Sequence, residues 1–165
     1  MRSDDFAELY RQYLPRVLNY MRLRVADEAL AQDLTAATFE RAFANRRQLR
    51  DPEAFAAWLF RIARNELGQH HRRWSRRGAQ VPLEAALSMP DGDPLPEEEA
   101  AQRQELAELL AAVAELAERE QEIIGLRFVA GLTNRAIAKV LRLSESNVAV
   151  ILYRAVRKLR SRLVI

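Results

Sequence analysis

The chain has 165 residues, of which 49% are hydrophobic, a net charge of +3 and no cysteine. That supports a packed core in one ordinary domain or two small ones, and it excludes disulfides, thiolate zinc sites and cysteine nucleophiles. No apolar run reaches the length of a membrane span and the start, MRSDDFAELY, is acidic rather than signal-like, so a cytoplasmic protein without membrane insertion is expected.

A first helix is expected from residue 4 to about 24, capped by Ser3 or Asp4, with Phe6, Leu9, Tyr10, Tyr13, Val17 and Leu18 along it. Pro15 must kink or interrupt it, and spacing alone leaves both open. A second helix runs from Asp27 to about Asn45. Leu30, Leu34 and Ala37 mark one apolar side of it, while Phe39 and Phe43 lie nearly opposite. That is more apolar surface than a one-sided helix needs, so it is either central in a bundle or keeps a side for a partner. Asp33 and Glu40, seven residues apart, share an acidic line between the two sides.

Asn45–Asp51, NRRQLRD, reads as a short basic loop, and Asp51-Pro52 places a cap before a proline at the first helical position. The third helix then spans Phe55–Trp74. Phe55, Leu59, Ile62 and Ala63 face inward by spacing; Arg61, Asn65, Gly68 and Arg72 line up opposite, with Trp58 and Gln69 at the margin. A basic and amide face edged by an aromatic suits unpaired DNA, because cations follow the backbone while rings and guanidinium planes stack on bases. The pair His70-His71 is no metal site by spacing, since adjacent positions diverge and no third ligand is near.

Ser75–Pro96 holds four of the six prolines and little periodicity, so it reads as a flexible linker with one helical turn near Leu83–Leu87. Two domains follow, residues 1–74 and 97–165. In the second, Glu97–Glu99 suit a helix N-terminus, which Leu106, Leu109, Leu110, Val113 and Leu116 continue. Glu118–Phe128 supplies another short helix.

Gly131–Arg160 then reads as two helices around a tight turn. Thr133 caps the first, which carries Ile137, Ala138 and Leu141; the turn is Arg142-Leu143, and Ser144 caps the second. Val148, Ile151, Leu152, Ala155 and Leu159 form one apolar stripe. The opposite face offers Ser146, Ala149, Val150, Tyr153, Arg154 and Arg157, small residues first and cations later. A helix-turn-helix needs that order, because the start of its second helix enters the major groove and its later turns lie near phosphates. Charge agrees: residues 127–165 carry nine basic against one acidic residue, the footprint of a polyanion site.

QDLTAATFERAF at Gln32–Phe43, FAAWLFRIARN at Phe55–Asn65 and EREQEIIGLRFVAGLTNRAIAKVL at Glu118–Leu141 resemble the extracytoplasmic-function sigma factors. This is the smallest group of the bacterial sigma family, with sigma domains two and four joined by a linker. The resemblance implies an all-α chain of two small helical domains, a bundle and a four-helix unit with the helix-turn-helix. It implies core RNA polymerase and promoter DNA as partners, and it allows an anti-sigma factor. No cofactor, metal or enzymatic role is implied.

The resemblance also distributes roles. Asp33, Phe39 and Glu40 match the region that docks on the polymerase clamp. Asn45, Arg46, Arg47, Arg50, Trp58, Arg61, Asn65 and Arg72 match the region that captures the minus-ten element as single strand, with a base flipped into a pocket. Ser144, Ser146, Asn147, Ala149, Val150, Tyr153, Arg154 and Arg157 fall on the helix that reads the minus-thirty-five duplex. Family members often carry Lys, Ser and Arg where this chain has Ala149, Val150 and Ile151. Ala149 and Val150 cannot donate hydrogen bonds but can touch thymine methyl groups, leaving polar contacts to Asn147 or Arg154. The alternative is a helix-turn-helix regulator with an N-terminal sensor or interaction domain. An all-helical hydrolase would need a nucleophile, base or metal set that the sequence does not bring together.

Overall fold

A computed structural model of the chain describes residues 1–77 and 96–163. Three long helices come first: α1 (Ser3–Arg24), α2 (Glu28–Ala44) and α3 (Phe55–Arg77). After the undescribed stretch come α4 (Glu97–Ala114), α5 (Glu118–Ile124), a π-helical turn (Gly125–Val129), α6 (Asn134–Leu141) and α7 (Glu145–Leu163). The all-α architecture of two small helical units is as expected. The helical turn expected near Leu83–Leu87 lies outside the described residues.

In the first unit, α1 runs through Pro15 without interruption. The cap differs from the reading above: Ser3 is the first helical residue, Arg2 holds the extended N-cap position, and no side chain bonds there. Asp4 and Asp5 instead sit in the first turn, where their charge meets the positive end of the helix. On α2, expected to begin at Asp27, that residue is instead the cap, its carboxylate accepting from the Ala29 N–H at 3.0 Å. That helix is buried along Ala31, Leu34, Thr35, Thr38, Phe39 and Ala42. Thr35 and Thr38 survive burial because each hydroxyl donates to the carbonyl four residues back, both at 2.7 Å. The helix is therefore central in its bundle, with α1 and α3 on either side.

Between α2 and α3 the chain is wound rather than loose. Arg46–Gln48 and Pro52–Ala54 form short 3₁₀ turns, the second capped by the Asp51 carboxylate accepting from the Glu53 N–H at 3.0 Å. Residues Ser75–Arg77, assigned above to the linker, continue α3.

The second unit packs α4, α5 and α7 around Ala112, Val113, Leu116, Ile124, Ala155 and Leu159. Only the end of α4 takes part. Leu106 and Leu109, expected on its apolar line, are exposed, because the helix projects beyond its neighbours before Leu110. Lys158 on α7 ties back to α5, its ammonium 2.9 Å from a Glu120 carboxylate oxygen. That contact holds the Glu120 carboxyl below its ordinary range, against the opposing effect of burial.

A second, larger cluster runs across the two units. Val17, Tyr20 and Met21 of α1 and Phe60 and Leu67 of α3 belong to the same buried cluster as Ile123, Leu126, Leu132 and Ile137. Burying an aromatic such as Phe60 contributes about 2–3 kcal/mol. The edge of its ring meets Tyr20, with centroids 5.7 Å apart. Gly125 marks the closest approach: a Cβ built there would stand 3.0 Å from Leu23 Cδ2 and 3.7 Å from the Tyr20 ring.

Candidate nucleic-acid interface

The helix-turn-helix forms as its caps predict. Thr133 Oγ1 accepts from the Ala136 N–H at 3.1 Å, starting α6. Its end is marked by Arg142 in the left-handed region (φ 58°), and the Leu143 N–H bonds back to the Ala138 carbonyl at 3.0 Å. Ser144 Oγ then accepts from the Asn147 N–H at 3.1 Å and starts α7. Val148, Ala155 and Leu159 are buried beneath, with Ile151 and Leu152 partly so.

All eight residues predicted to meet the minus-thirty-five duplex are exposed: Ser144, Ser146, Asn147, Ala149, Val150, Tyr153, Arg154 and Arg157. Tyr153 is 66% exposed and Val150 46%, large fractions for such side chains on a helix whose other face is packed. Ser144 Oγ has a local role as the cap and lies 3.3 Å from Ser146 Oγ, whereas Asn147, Val150 and Arg154 are exposed on the first turns of the outer face. Arg154 and Arg157 border a shallow cleft with Lys158 and Arg162, a cationic end suited to phosphates.

The second predicted surface is more divided. Arg47 and Arg50 are exposed. Asn45 and Arg46 are engaged locally: Asn45 Nδ2 donates to the Arg41 carbonyl at 2.9 Å, and Arg46 donates to the Phe43 carbonyl with its guanidinium 4.1 Å above the Phe43 ring. Trp58 is half-buried against Phe55, with ring centroids 5.9 Å apart. Asn65 and Arg72 are exposed and line a cleft of about 340 Å³ with Arg64, His71, Glu118 and Glu122. Burial, helped by the charge of Arg24, lowers the pKa of His71, which favours a neutral ring there.

Arg61 does not face solvent alone. Its guanidinium donates to the Lys139 carbonyl, 2.8 Å from Nη2 and 3.2 Å from Nε. Nothing in the sequence signals this contact, since it depends on how the two units meet.

On α2, Asp33 and Glu40 are exposed on one line, but Phe39 is 5% exposed and its ring packs edge-on against Tyr10 at 4.8 Å. The exposed apolar neighbour is Phe43, which the sequence reading left without a role.

Comparison with known proteins joins these surfaces. Sigma-70 region 2 matches residues 9–77, and Sigma-70, region 4 matches residues 106–159. The extracytoplasmic-function RNA polymerase sigma factor RpoE of Cereibacter sphaeroides is 33% identical over 141 residues, spanning 81% of this chain and 72% of that one. The chain belongs to the extracytoplasmic-function sigma factors. BldN of Streptomyces coelicolor, also a sigma factor of this group, is 37% identical over 95% of this chain, which spans 60% of BldN's own length. Among solved structures, the sigma factor RpoE from Bartonella quintana, in complex with the anti-sigma factor NepR, superposes with a TM-score of 0.77 at 20% identity, covering 98% of both chains. CnrH, solved with the cytosolic domain of CnrY, gives 0.70 at 22% identity, covering 98% of this chain and 89% of that one. These last two likenesses concern the fold. The sigma regions fall in order on the two helical units, region 2 on α1–α3 and region 4 on α4–α7.

Proposed function

We propose that this chain is a promoter-specificity subunit: it binds core RNA polymerase in the cytoplasm, directs it to particular promoters and starts transcription without catalysing a reaction itself. The observation that carries the reading is the exposed outer face of α7, mounted on a capped helix-turn-helix and preceded in the same chain by a sigma region 2 unit. A regulator built on a sensor domain would have no need of that unit.

Residues 1–74 act as sigma domain two and 97–165 as sigma domain four, with 75–96 between them. Asn147, Ser146, Ala149 and Val150 meet base edges, the first two by hydrogen bonds and the others through methyl contacts. Ser144 sets the start of the helix; Tyr153, Arg154 and Arg157 follow the phosphates and fix the register. In domain two, Arg47, Arg50, Arg61 and Arg72 follow the single strand, Asn65 offers its amide to an unpaired base, and Trp58 edges the path. Asn45 and Arg46 shape the turn beside it. Unstacking a base costs a few kcal/mol, which those contacts must offset. Asp33 and Glu40 meet a basic surface of the polymerase while Phe39, from the core, holds their helix in place. An anti-sigma factor is a further partner, as NepR is in the Bartonella quintana structure.

The test is retention of promoter DNA. Purified core polymerase mixed with this chain should form a stoichiometric complex by gel filtration and hold a promoter fragment against heparin. A chain that binds such duplexes specifically with no polymerase present, and does not join core, would instead be a free-standing regulator.

A further inference from the structure

The outer face of α7 is apolar at its centre and cationic only toward its end. Ser146, Val150, Tyr153 and Arg157 stand at i, i+4, i+7 and i+11, one line along that face, and all four are exposed. Val150 is 46% exposed and Tyr153 66%, with Ala149 exposed beside them. The core has no use for these side chains, since Val148, Ala155 and Leu159 already bury the opposite face. A bare β-branched residue also lowers helix propensity, so valine is a poor choice for a merely solvated position. From Glu145 to Tyr153 there is no Arg or Lys, the side chains that most often read guanine. The hydroxyl of Ser144 is engaged by the Asn147 N–H. Cations begin at Arg154 and Arg157, which border a shallow cleft with Lys158 and Arg162. Such a helix fits a duplex whose phosphates meet its cationic end and whose groove floor meets its apolar turns. The major groove offers those turns one apolar group, the methyl on C5 of a pyrimidine.

We propose that Val150, with Ala149 beside it, reads pyrimidine C5 methyl groups in the upstream promoter element. This rests on the assignment of α7 to that duplex. Two bases carry such a group at the same place, thymine and cytosine methylated at C5. They differ at C4, where thymine presents an oxygen acceptor and cytosine an amino donor. The side chain of Val150 has neither donor nor acceptor, so it does not sense that difference. Methylation of a cytosine at the contacted position therefore makes a poor element a good one. Initiation by this chain then responds to the methylation state of its promoter. Withdrawing one methyl from water should change affinity about fourfold.

The test uses core polymerase with the full-length chain, on a synthetic promoter copied from a start site mapped with the same proteins. Thymines of the minus-thirty-five element alone are replaced, one at a time, by uracil, which keeps every hydrogen-bonding group and lacks the methyl. At a contacted position uracil should weaken heparin-resistant binding about fourfold. Cytosine there should weaken it too, and 5-methylcytosine should restore most of the loss. Val150→Ala, whose shorter side chain falls away from the groove floor, should shrink both effects at one position and leave uracil elsewhere as costly as before. That variant should fold unchanged, because Val150 is exposed and alanine is the better helix former. Uracil as good as thymine at every position overturns the proposal, as does 5-methylcytosine no better than cytosine. A uracil penalty that Val150→Ala leaves untouched overturns the assignment to Val150. A chain that yields no start site overturns the promoter reading and the methyl reader with it. A methyl-blind element that still loses affinity with Arg154→Ala leaves α7 on the duplex and removes the methyl reader alone.

Discussion

Lys158 and Glu120 join the recognition helix to the helix that supports it, ammonium to carboxylate at 2.9 Å, with Glu120 also accepting from the Ala117 N–H at 3.2 Å. One carboxylate thus starts α5 and anchors α7. Its pKa is lowered from 4.5, chiefly by the bond from Lys158. A depressed carboxylate contributes stability that is present above its unfolded value and lost as pH falls through the folded one. Thermal unfolding of the full chain should therefore weaken below about pH 4.5, and Lys158→Met should flatten part of that loss. Because Lys158 is more than half exposed, the effect at neutral pH should be about 1 kcal/mol or less.

Tyr20 responds to alkali. Its hydroxyl is buried with no hydrogen-bond partner among the described residues, and desolvation pushes its pKa from 10.0 to about 12. A raised value means stability that is complete below pH 10 and lost as pH climbs toward 12. Ultraviolet titration of tyrosinate should show one late-ionising ring that Tyr20→Phe removes. That variant should unfold at the same temperature or higher, since it deletes an unsatisfied polar atom and little packing. A Tyr20 that titrates near 10 would mean that its ring is not sealed beneath Gly125.

Side-chain identity on α7 should divide by role. Arg154→Ala and Arg157→Ala should weaken binding to all duplexes alike and flatten its salt dependence, because phosphate contacts carry no sequence information. Val150→Lys should change which minus-thirty-five sequences are preferred. Binding selections on randomised duplexes read both effects, and the reverse pattern would mean that the face is oriented the wrong way round.

Docking and melting should separate in the same manner. Asp33→Arg reverses an exposed charge and should lower affinity for core polymerase. Asn65→Ala with Arg72→Ala should leave that affinity intact while reducing permanganate-reactive thymines in the open complex. Equal loss of core binding in both variants would refute the division.

How far these features could be read in advance depended on how local their causes are. Thr133, Ser144 and Asp51 act within three residues of themselves, so their caps were legible, as was the stripe Val148–Leu159 with its exposed opposite face. The meeting of the units was not. Phe60 and Leu67 had no reason to be buried until residues of the second unit joined their cluster, and nothing near Arg61 in sequence announces the Lys139 carbonyl. Phe39 and Leu106 show the same limit in opposite directions. Helical spacing marks an apolar residue but not whether a neighbour reaches it, so Phe39 is core and Leu106 is bare.

The segment between the units sets reach. Residues 78–95 number eighteen, so drawn out fully they cover about 60 Å, just short of the separation between the promoter elements. Removing about ten of them should abolish initiation from two-element promoters, while scrambling them at constant length should matter little. Normal initiation by the shortened chain would contradict a two-site tether.

Run-off transcription tests the central claim most directly. Core polymerase is supplied with a library of genomic fragments, with and without the chain, and the 5′ ends of the transcripts are mapped. The account predicts discrete start sites that appear only with the chain, share two short elements upstream, and shift in their minus-thirty-five sequence with Val150→Lys. Identical transcripts with and without the chain would contradict it.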